Sequence, residues 1–488
     1  MMSKHPLSDD RPARLLLALC IVVLVALVAP GSAVARGADA GLLIRNVRLI
    51  DFDGAAPKVR TGQSVLIRDG RIVAVAPAGQ LEPPENAEIV EGRGRTLVPG
   101  LTDMHVHIWD KAELGAYVAS GVTTVRNMSG MPYLLEMGDR IANGRLTGPR
   151  IITTGPILNS PGPNAQLNHQ IVETADEARA AVRAQYDRGY RRIKVYSNLN
   201  RSAYEAIRDE AKLLAMPITG HTPEGPRTEG IPERYPFAIG FSEILDDGFE
   251  TIEHVESIVW HGLRNRRDAA AGRVLARQIA AARVPVDPTL IAFANLVRIA
   301  ETRGAHLRRE GTETLNPFVR SMETAQSERW TNENVPRARA QLAFYLEFTR
   351  MLSEEGVLLV AGSDAGIATN IPGVSLHDEL DLLVDAGLTP FQALQTATVN
   401  AARALGQEAE FGRIEPGYRA DLLLIEGDPL SQVKLLRRPE TVIAGGRVFN
   451  ADEIEGLRQL ASHTDADRTA RNVLGAMKAQ GTEVDLGN

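Results

Sequence analysis

From Pro99 onward, short apolar segments alternate with helix-like stretches, and this rhythm restricts the fold more than any other feature of the chain. The apolar segments are Leu101 to Val106, Thr123 to Met128, Arg150 to Thr154, Arg192 to Tyr196, Pro217 to Gly220, Thr251 to Val255, Val284 to Asp287 and Leu358 to Ala361. Helix-like stretches such as Ala175 to Asp187 and Arg201 to Ala215 lie between most of them. Repeated βα units imply a parallel sheet covered by helices. Eight units predict an α/β chain, a TIM-like (β/α)8 barrel over residues 99–405, where the roughly 250 residues of such a barrel fit with room for insertions.

The flanks have a different pattern. Residues 36–98 are β-rich, with Leu42 to Leu49, Ser64 to Arg68 and Arg71 to Val75 punctuated by a turn at Asp69-Gly70. The β-rich pattern returns over 406–452, at Ala420 to Ile425, Val442 to Ala444 and Arg447-Val448. The two flanks are expected to form one small β-sandwich. Within the barrel region, residues 298–339 are long and charged, and read either as a helical lid or as a solvated helix pair. The tail, 453–488, is polar and weakly helical.

Residues 1–35 read as a signal peptide. Lys4, Arg11 and Arg14 precede an apolar run from Leu15 to Val28, and Ala33-Val34-Ala35 has the small-residue cleavage pattern. Cleavage after Ala35 predicts an exported protein, periplasmic or secreted, without a stable membrane span; an uncleaved anchor is the alternative. Cleavage would also remove Cys20, the single cysteine, so disulfides, cysteine metal sites and thiol nucleophiles are not expected. Net charge is −7 and aromatics make up 5% of the 488 residues. Neither a basic excess nor a supply of stacking platforms marks a nucleic-acid binder.

The chemistry gathers at the predicted strand ends. His105 and His107 close the first strand, and residues i and i+2 of a strand share a face. His221 closes the fifth in Thr219-Gly220-His221, His254 the sixth in Ile252-Glu253-His254, and Asp364 the eighth in Gly362-Ser363-Asp364. Strand C-terminal ends build the active site of such barrels. Imidazoles with a carboxylate suit zinc or a similar ion. A single strand-end histidine is more often a hydrogen-bonded core residue, but four of them with an aspartate at one barrel mouth outweigh that reading. Lys194 lies within the fourth strand, in Arg192-Ile193-Lys194-Val195-Tyr196. It either faces outward with Arg192 or points inward, where desolvation and nearby cations would lower its pKa and let the neutral amine add CO2 as a carbamate.

These residues resemble the amidohydrolase superfamily of metal-dependent hydrolases, over almost the whole chain after the signal segment. The resemblance is carried by Pro99-Gly100-Leu101-Thr102-Asp103-Met104-His105-Val106-His107, by Gly121 to Arg126, by the His221, His254 and Gly362-to-Gly366 segments, by Thr396 to Ala402, and by Gly412 to Leu422. It is greatest to the imidazolonepropionase-like or Xaa-Pro dipeptidase-like group. By resemblance, His105, His107 and Asp364 hold one divalent ion, zinc being favoured, and His221 and His254 a second. A CO2-derived carbamate on Lys194 bridges them. Imidazolonepropionases themselves use one ion and lack that lysine, so Lys194 argues against that label. Asn127 stands where relatives commonly have aspartate.

The implied mechanism is hydrolysis by a metal-activated water, with Asp364 as the catalytic group that passes the water's proton to the leaving nitrogen. The expected substrate is a small-molecule amide, a dipeptide or N-acyl amino acid. Ring opening of a cyclic amide or lactone is the alternative, and a non-catalytic exported binding protein a remote one. His169, Tyr196 and Arg227 are candidate substrate contacts, whereas His377 suits a hydrogen-bonding role at a helix start. Self-association into a homo-oligomer is left open.

Overall fold

The structure, a computed structural model, describes residues 41–166, 168–226, 236–322, 324–367 and 369–481. The signal-like segment and Arg227 lie outside the described residues. Five strands open the fold: β1 (Leu42–Asp51), β2 (Lys58–Arg68), β3 (Arg71–Pro77), β4 (Glu88–Glu91) and β5 (Thr96–Pro99). The turn between β2 and β3 is at Asp69-Gly70, both with positive φ, which suits a tight hairpin. Next come β6 (Leu101–Val106), β7 (Val122–Asn127), β8 (Arg150–Thr153), β9 (Ile157–Asn159), β10 (His169–Ile171), β11 (Ile193–Val195), β12 (Ile218–Gly220), β13 (Phe249–Glu253) and β14 (Val286–Asp287). The last three are β15 (Leu422–Ile425), β16 (Thr441–Ala444) and β17 (Arg447–Phe449).

The first five and last three strands share one sheet, ordered β17-β16-β15-β5-β1-β2-β3, with β4 beside β1. Backbone bonds between Ile72 and Tyr418 and between Gly70 and Ala420 bring its far edge back towards the β15 end. Leu42, Ile44, Val65, Leu97, Leu422 and Ile443 are buried together there.

The middle strands all pair in parallel. β6, β7 and β8 form one run, and β10-β9-β11-β12-β13-β14 another. Gly155 N–H donates to Arg192 O, linking the end of β8 to the entry of β11. At the other side, Val286 and Val360 N–H groups exchange bonds with Leu358 and Val286 carbonyls, and Met104 N–H donates to Ala361 O. The eighth segment, Leu358 to Ala361, thus lies between β14 and β6, although it forms only isolated bridges rather than a regular strand. The arrangement is α/β and TIM-like, with helices outside. Local sequence fixes those helices: Thr174 and Glu177 form a capping box for Ala175–Asp187, and Asn200 caps Arg201–Leu213.

After the third barrel strand β9 and β10 extend the sheet, two strands that the sequence rhythm did not predict. One expectation needs correction. The tail is not weakly helical. Ala451–Ala461 and Ala466–Ala479 are regular helices that bury Ile454, Leu457, Val473, Ala476 and Met477. Their polar composition hid a narrow apolar stripe at helical spacing. Among the described residues, no helix is long and apolar enough to cross a membrane.

Candidate active site

His105 sits inside β6, and His107 one residue past its end. Their rings lie 5.3 Å apart. Both approach Asp364, with His107 Nε2 3.0 Å and His105 Nε2 3.4 Å from its Oδ1. His221 and His254 follow directly on β12 and β13, with ring centres 4.4 Å apart. The His254 ring is 4.7 Å from that of His105. Lys194, 1% exposed, points inward from β11 and places its Nζ 3.0 Å from His105 Nε2. Of the two orientations open to it in the sequence, the inward one is observed. All six groups face one cavity of about 640 Å³.

Backbone geometry makes this gathering possible. Gly220 has φ +127°, and a Cβ there would lie 2.3 Å from Val195 O, so only glycine lets the His221 end approach the lysine strand. His254, Thr289 and Asp364 all have positive φ. Non-glycine residues pay for that conformation, most of all a β-branched threonine, and such strain concentrates at functional sites.

Three of the four imidazoles are oriented from behind. His105 Nδ1 lies 2.8 Å from Glu253 Oε2, His107 Nδ1 2.9 Å from Ser129 Oγ, and His254 Nδ1 2.6 Å from Thr289 Oγ1. These contacts leave the Nε2 atoms facing the cavity. Among the described residues, the buried His221 Nδ1 has no hydrogen-bond partner. Burial pushes the His105 and His221 imidazoles well below their usual range and His254 down to about 4. Burial also lowers the Lys194 ammonium to about 8. Asp364 behaves oppositely: burial raises its pKa, but His105 and His107 outweigh that and hold it well below the carboxylate range. Neutral imidazoles, an ionised carboxylate and an orphaned buried nitrogen form a donor set that fits divalent cations. His105, His107 and Asp364 form one group able to hold a metal ion.

Beneath the cluster lies a charged layer that motif reading missed. The fully buried Arg126 guanidinium donates to Glu253 Oε1 at 2.8 Å, Glu250 Oε2 at 3.2 Å and Thr251 Oγ1 at 2.8 Å. Asp103 accepts from Ser363 N–H at 2.9 Å and so ties β6 to the Asp364 segment. The available signal was physical: an arginine and two glutamates inside apolar strands are costly unless they pair.

His169 and Tyr196 line the same cavity. The Tyr196 ring lies between His169 and His221, at 4.6 and 4.0 Å. His169 Nδ1 accepts from Gln166 N–H at 3.3 Å and Asn159 Nδ2 at 3.2 Å. The proton therefore sits on Nε2, which is buried with no protein partner among the described residues. Burial and the Lys194 charge push this imidazole down to about 3, so it is a neutral donor. His377 instead bonds the Ser120 carbonyl at 2.8 Å, away from the cavity lining. Asn127 Oδ1 accepts from Ile108 N–H at 2.9 Å, steadying the backbone just after His107.

Known proteins resemble the chain in sequence and in fold. The chain is 26% identical over 436 residues to an imidazolonepropionase from Rubrobacter xylanophilus, covering 84% of this chain and 92% of that one. A bottromycin amidohydrolase superposes with a TM-score of 0.67 at 24% identity, over 88% of this chain and 92% of that one. A Xaa-Pro dipeptidase with methionine bound in its active site superposes with a TM-score of 0.63 at 22% identity, over 84% of this chain and all of that one. The amidohydrolase family model matches residues 96–449, from the last strand before the barrel to the last strand of the chain. The chain belongs to the amidohydrolase family and is a hydrolase acting on carbon–nitrogen bonds.

Proposed function

We propose that the chain is an exported binuclear hydrolase that cleaves the amide bond of a dipeptide or N-acyl amino acid. The observation that carries this reading is the convergence of Lys194 Nζ on His105 Nε2, 3.0 Å apart, beside Asp364 and the His221–His254 pair. Burying a lysine costs stability that an apolar residue would not, so its place among these imidazoles favours a functional role. In this reading His105, His107 and Asp364 would hold one divalent cation and His221 and His254 the other, with a carbamate on Lys194 as a further anionic ligand. Zinc is the favoured ion, given the imidazole-rich donor set. The bound cations supply water of lowered pKa and polarise a carbonyl.

The protein's own groups do the rest. Asp364, ionised in the resting site, takes the proton of the attacking water on a carboxylate oxygen and returns it to the departing nitrogen. His169 Nε2–H donates to the substrate's carbonyl or carboxylate oxygen. Glu253, Ser129 and Thr289 keep the ligand imidazoles aimed. The name of the Xaa-Pro dipeptidase neighbour supports a dipeptide substrate.

Amine release from a library of dipeptides and N-acyl amino acids tests the reading, using protein supplied with zinc and bicarbonate and His221→Ala as control. Release by wild type alone supports it. Silence across the library in protein holding two metals overturns it, and a single product heavier by one water from cyclic amides or lactones would replace it.

A further inference from the structure

Besides the His/Lys/Asp cluster, the cavity is lined by the apolar side chains of Trp109, Leu296, Met322, Ile367 and Val473, with Glu256 and several uncharged polar residues also in its wall. Among the described lining residues the only lysine or arginine is Lys194, which belongs to the cluster. A substrate group reaching past the cluster therefore meets apolar side chains, uncharged polar groups and a carboxylate, and no cation to receive an anion.

Two of the apolar lining residues come from outside the barrel's strands and their first loops. Met322 belongs to the 298–339 segment, and Val473, 1% exposed, to the C-terminal helix Ala466–Ala479. That helix is fastened to the loop after β6. The Arg468 guanidinium donates to both oxygens of Asp110, at 2.8 and 2.7 Å, and Asp110 is fully buried three residues after His107. Asn316 Nδ2 donates to Thr469 Oγ1 at 2.8 Å and contacts Glu113 Oε1 at 3.3 Å. Val473 lies one helical turn beyond Thr469, on the same face. Its position relative to His107 is thus set by buried polar contacts at the helix start.

We propose that Val473, held by the Arg468–Asp110 pair, is a specificity-determining residue of the substrate pocket, and that the preferred substrates are amides carrying a bulky apolar group that packs against it. The inference rests on the amide-hydrolase reading of the same site. Apolar walls discriminate by size: one methylene gained or lost changes selectivity by about 10-fold or more. Widening the wall therefore shifts preference towards larger groups, and filling it excludes them.

The test uses full-length, metal-loaded protein and amides graded in size, from acetyl and butanoyl to octanoyl and benzoyl, with the same gradation on the amine side. Val473→Phe is expected to lower the ratio of kcat/KM for the bulkiest amides to that for the smallest about 10-fold or more, mainly through KM. Val473→Ala is expected to move the preferred size upward. A bulky-to-small ratio unchanged within about 2-fold in both variants overturns the inference. If Val473→Phe does not fold, an unchanged ratio in Val473→Ala is sufficient to do so. The two failures separate cleanly: wild type silent on every amide sinks the amide-hydrolase reading, whereas an active wild type with an unmoved ratio sinks this inference alone.

Discussion

Asp364 combines two demands that rarely meet in one carboxylate: it is buried, yet two imidazoles keep it ionised. An ionised group at the reacting water is ready to accept a proton without first losing one. Asp364→Asn keeps the shape and removes that capacity, so kcat is expected to fall by about 10²–10⁴-fold, read from amine release with the protein's fold checked by circular dichroism. His169 acts through a single aimed hydrogen bond. His169→Phe is expected to lower kcat/KM by about 10²-fold, the typical cost of losing one donor to a developing charge, while leaving the bound metal content unchanged. A matching loss of metal would instead place His169 among the ligands. Below them, Arg126 neutralises Glu253 and Glu250 in the barrel interior. Arg126→Met leaves the buried Glu253 without its guanidinium partner, while Glu250 keeps Arg192, and is expected to lower the unfolding free energy by about 3–5 kcal/mol, measured by urea denaturation.

At the scale of elements, the C-terminal helix is the part that composition misrepresented. Its stripe of Thr469, Val473, Ala476 and Met477 is narrow, and its anchoring partners, Asp110 and Asn316, lie more than 150 residues away in sequence. No local pattern announces a contact of that separation. Arg468→Ala leaves the buried Asp110 carboxylate short of its donor, and is expected to cost about 1–3 kcal/mol of stability in the same urea assay. The barrel strands were more legible, because each is a short apolar run with a chemically distinctive residue at its end. His105, His107, His221, His254 and Asp364 could be read that way, Lys194 only with its orientation left open, and the structure brings all six around one cavity. Ser129 and Thr289 could not: a hydroxyl that orients an imidazole across the fold has no spacing rule, and only the contact distances, 2.9 and 2.6 Å, reveal it. The two strands after the third barrel strand went unread for a simpler reason. β9 and β10 are three residues each, too short to show a period.

For the whole molecule, the buried acids outside the site determine how stability responds to pH. Burial pushes the Glu113 carboxyl from 4.5 up to about 8, and Glu379 likewise to about 8. Each stays protonated in the folded chain over a range in which the unfolded chain has released its proton. The stability each contributes is complete below the unfolded value and is lost as pH rises towards about 8. Glu113→Gln removes one such proton and is expected to match wild type near pH 5 but unfold about 2 °C or more higher at pH 9, by scanning calorimetry. Equal melting temperatures at both pH values would show that Glu113 does not carry the effect. The global architecture was legible from the βα rhythm, and the β-rich flanks join in one sheet that brings β5 beside β15. Charge pairing in the interior was not, since it depends on which strands become neighbours.

The account stands or falls on the number of cations that Lys194 and its neighbours hold in the working enzyme. The most direct measurement is the initial rate of amine release as metal-free protein is titrated with zinc in the presence of bicarbonate, with bound metal counted at each point. The account predicts a rate that rises until two ions are bound per chain, with Lys194→Ala unable to take up the second. A full rate at one ion per chain, or a Lys194→Ala protein that holds two ions and works normally, would contradict it.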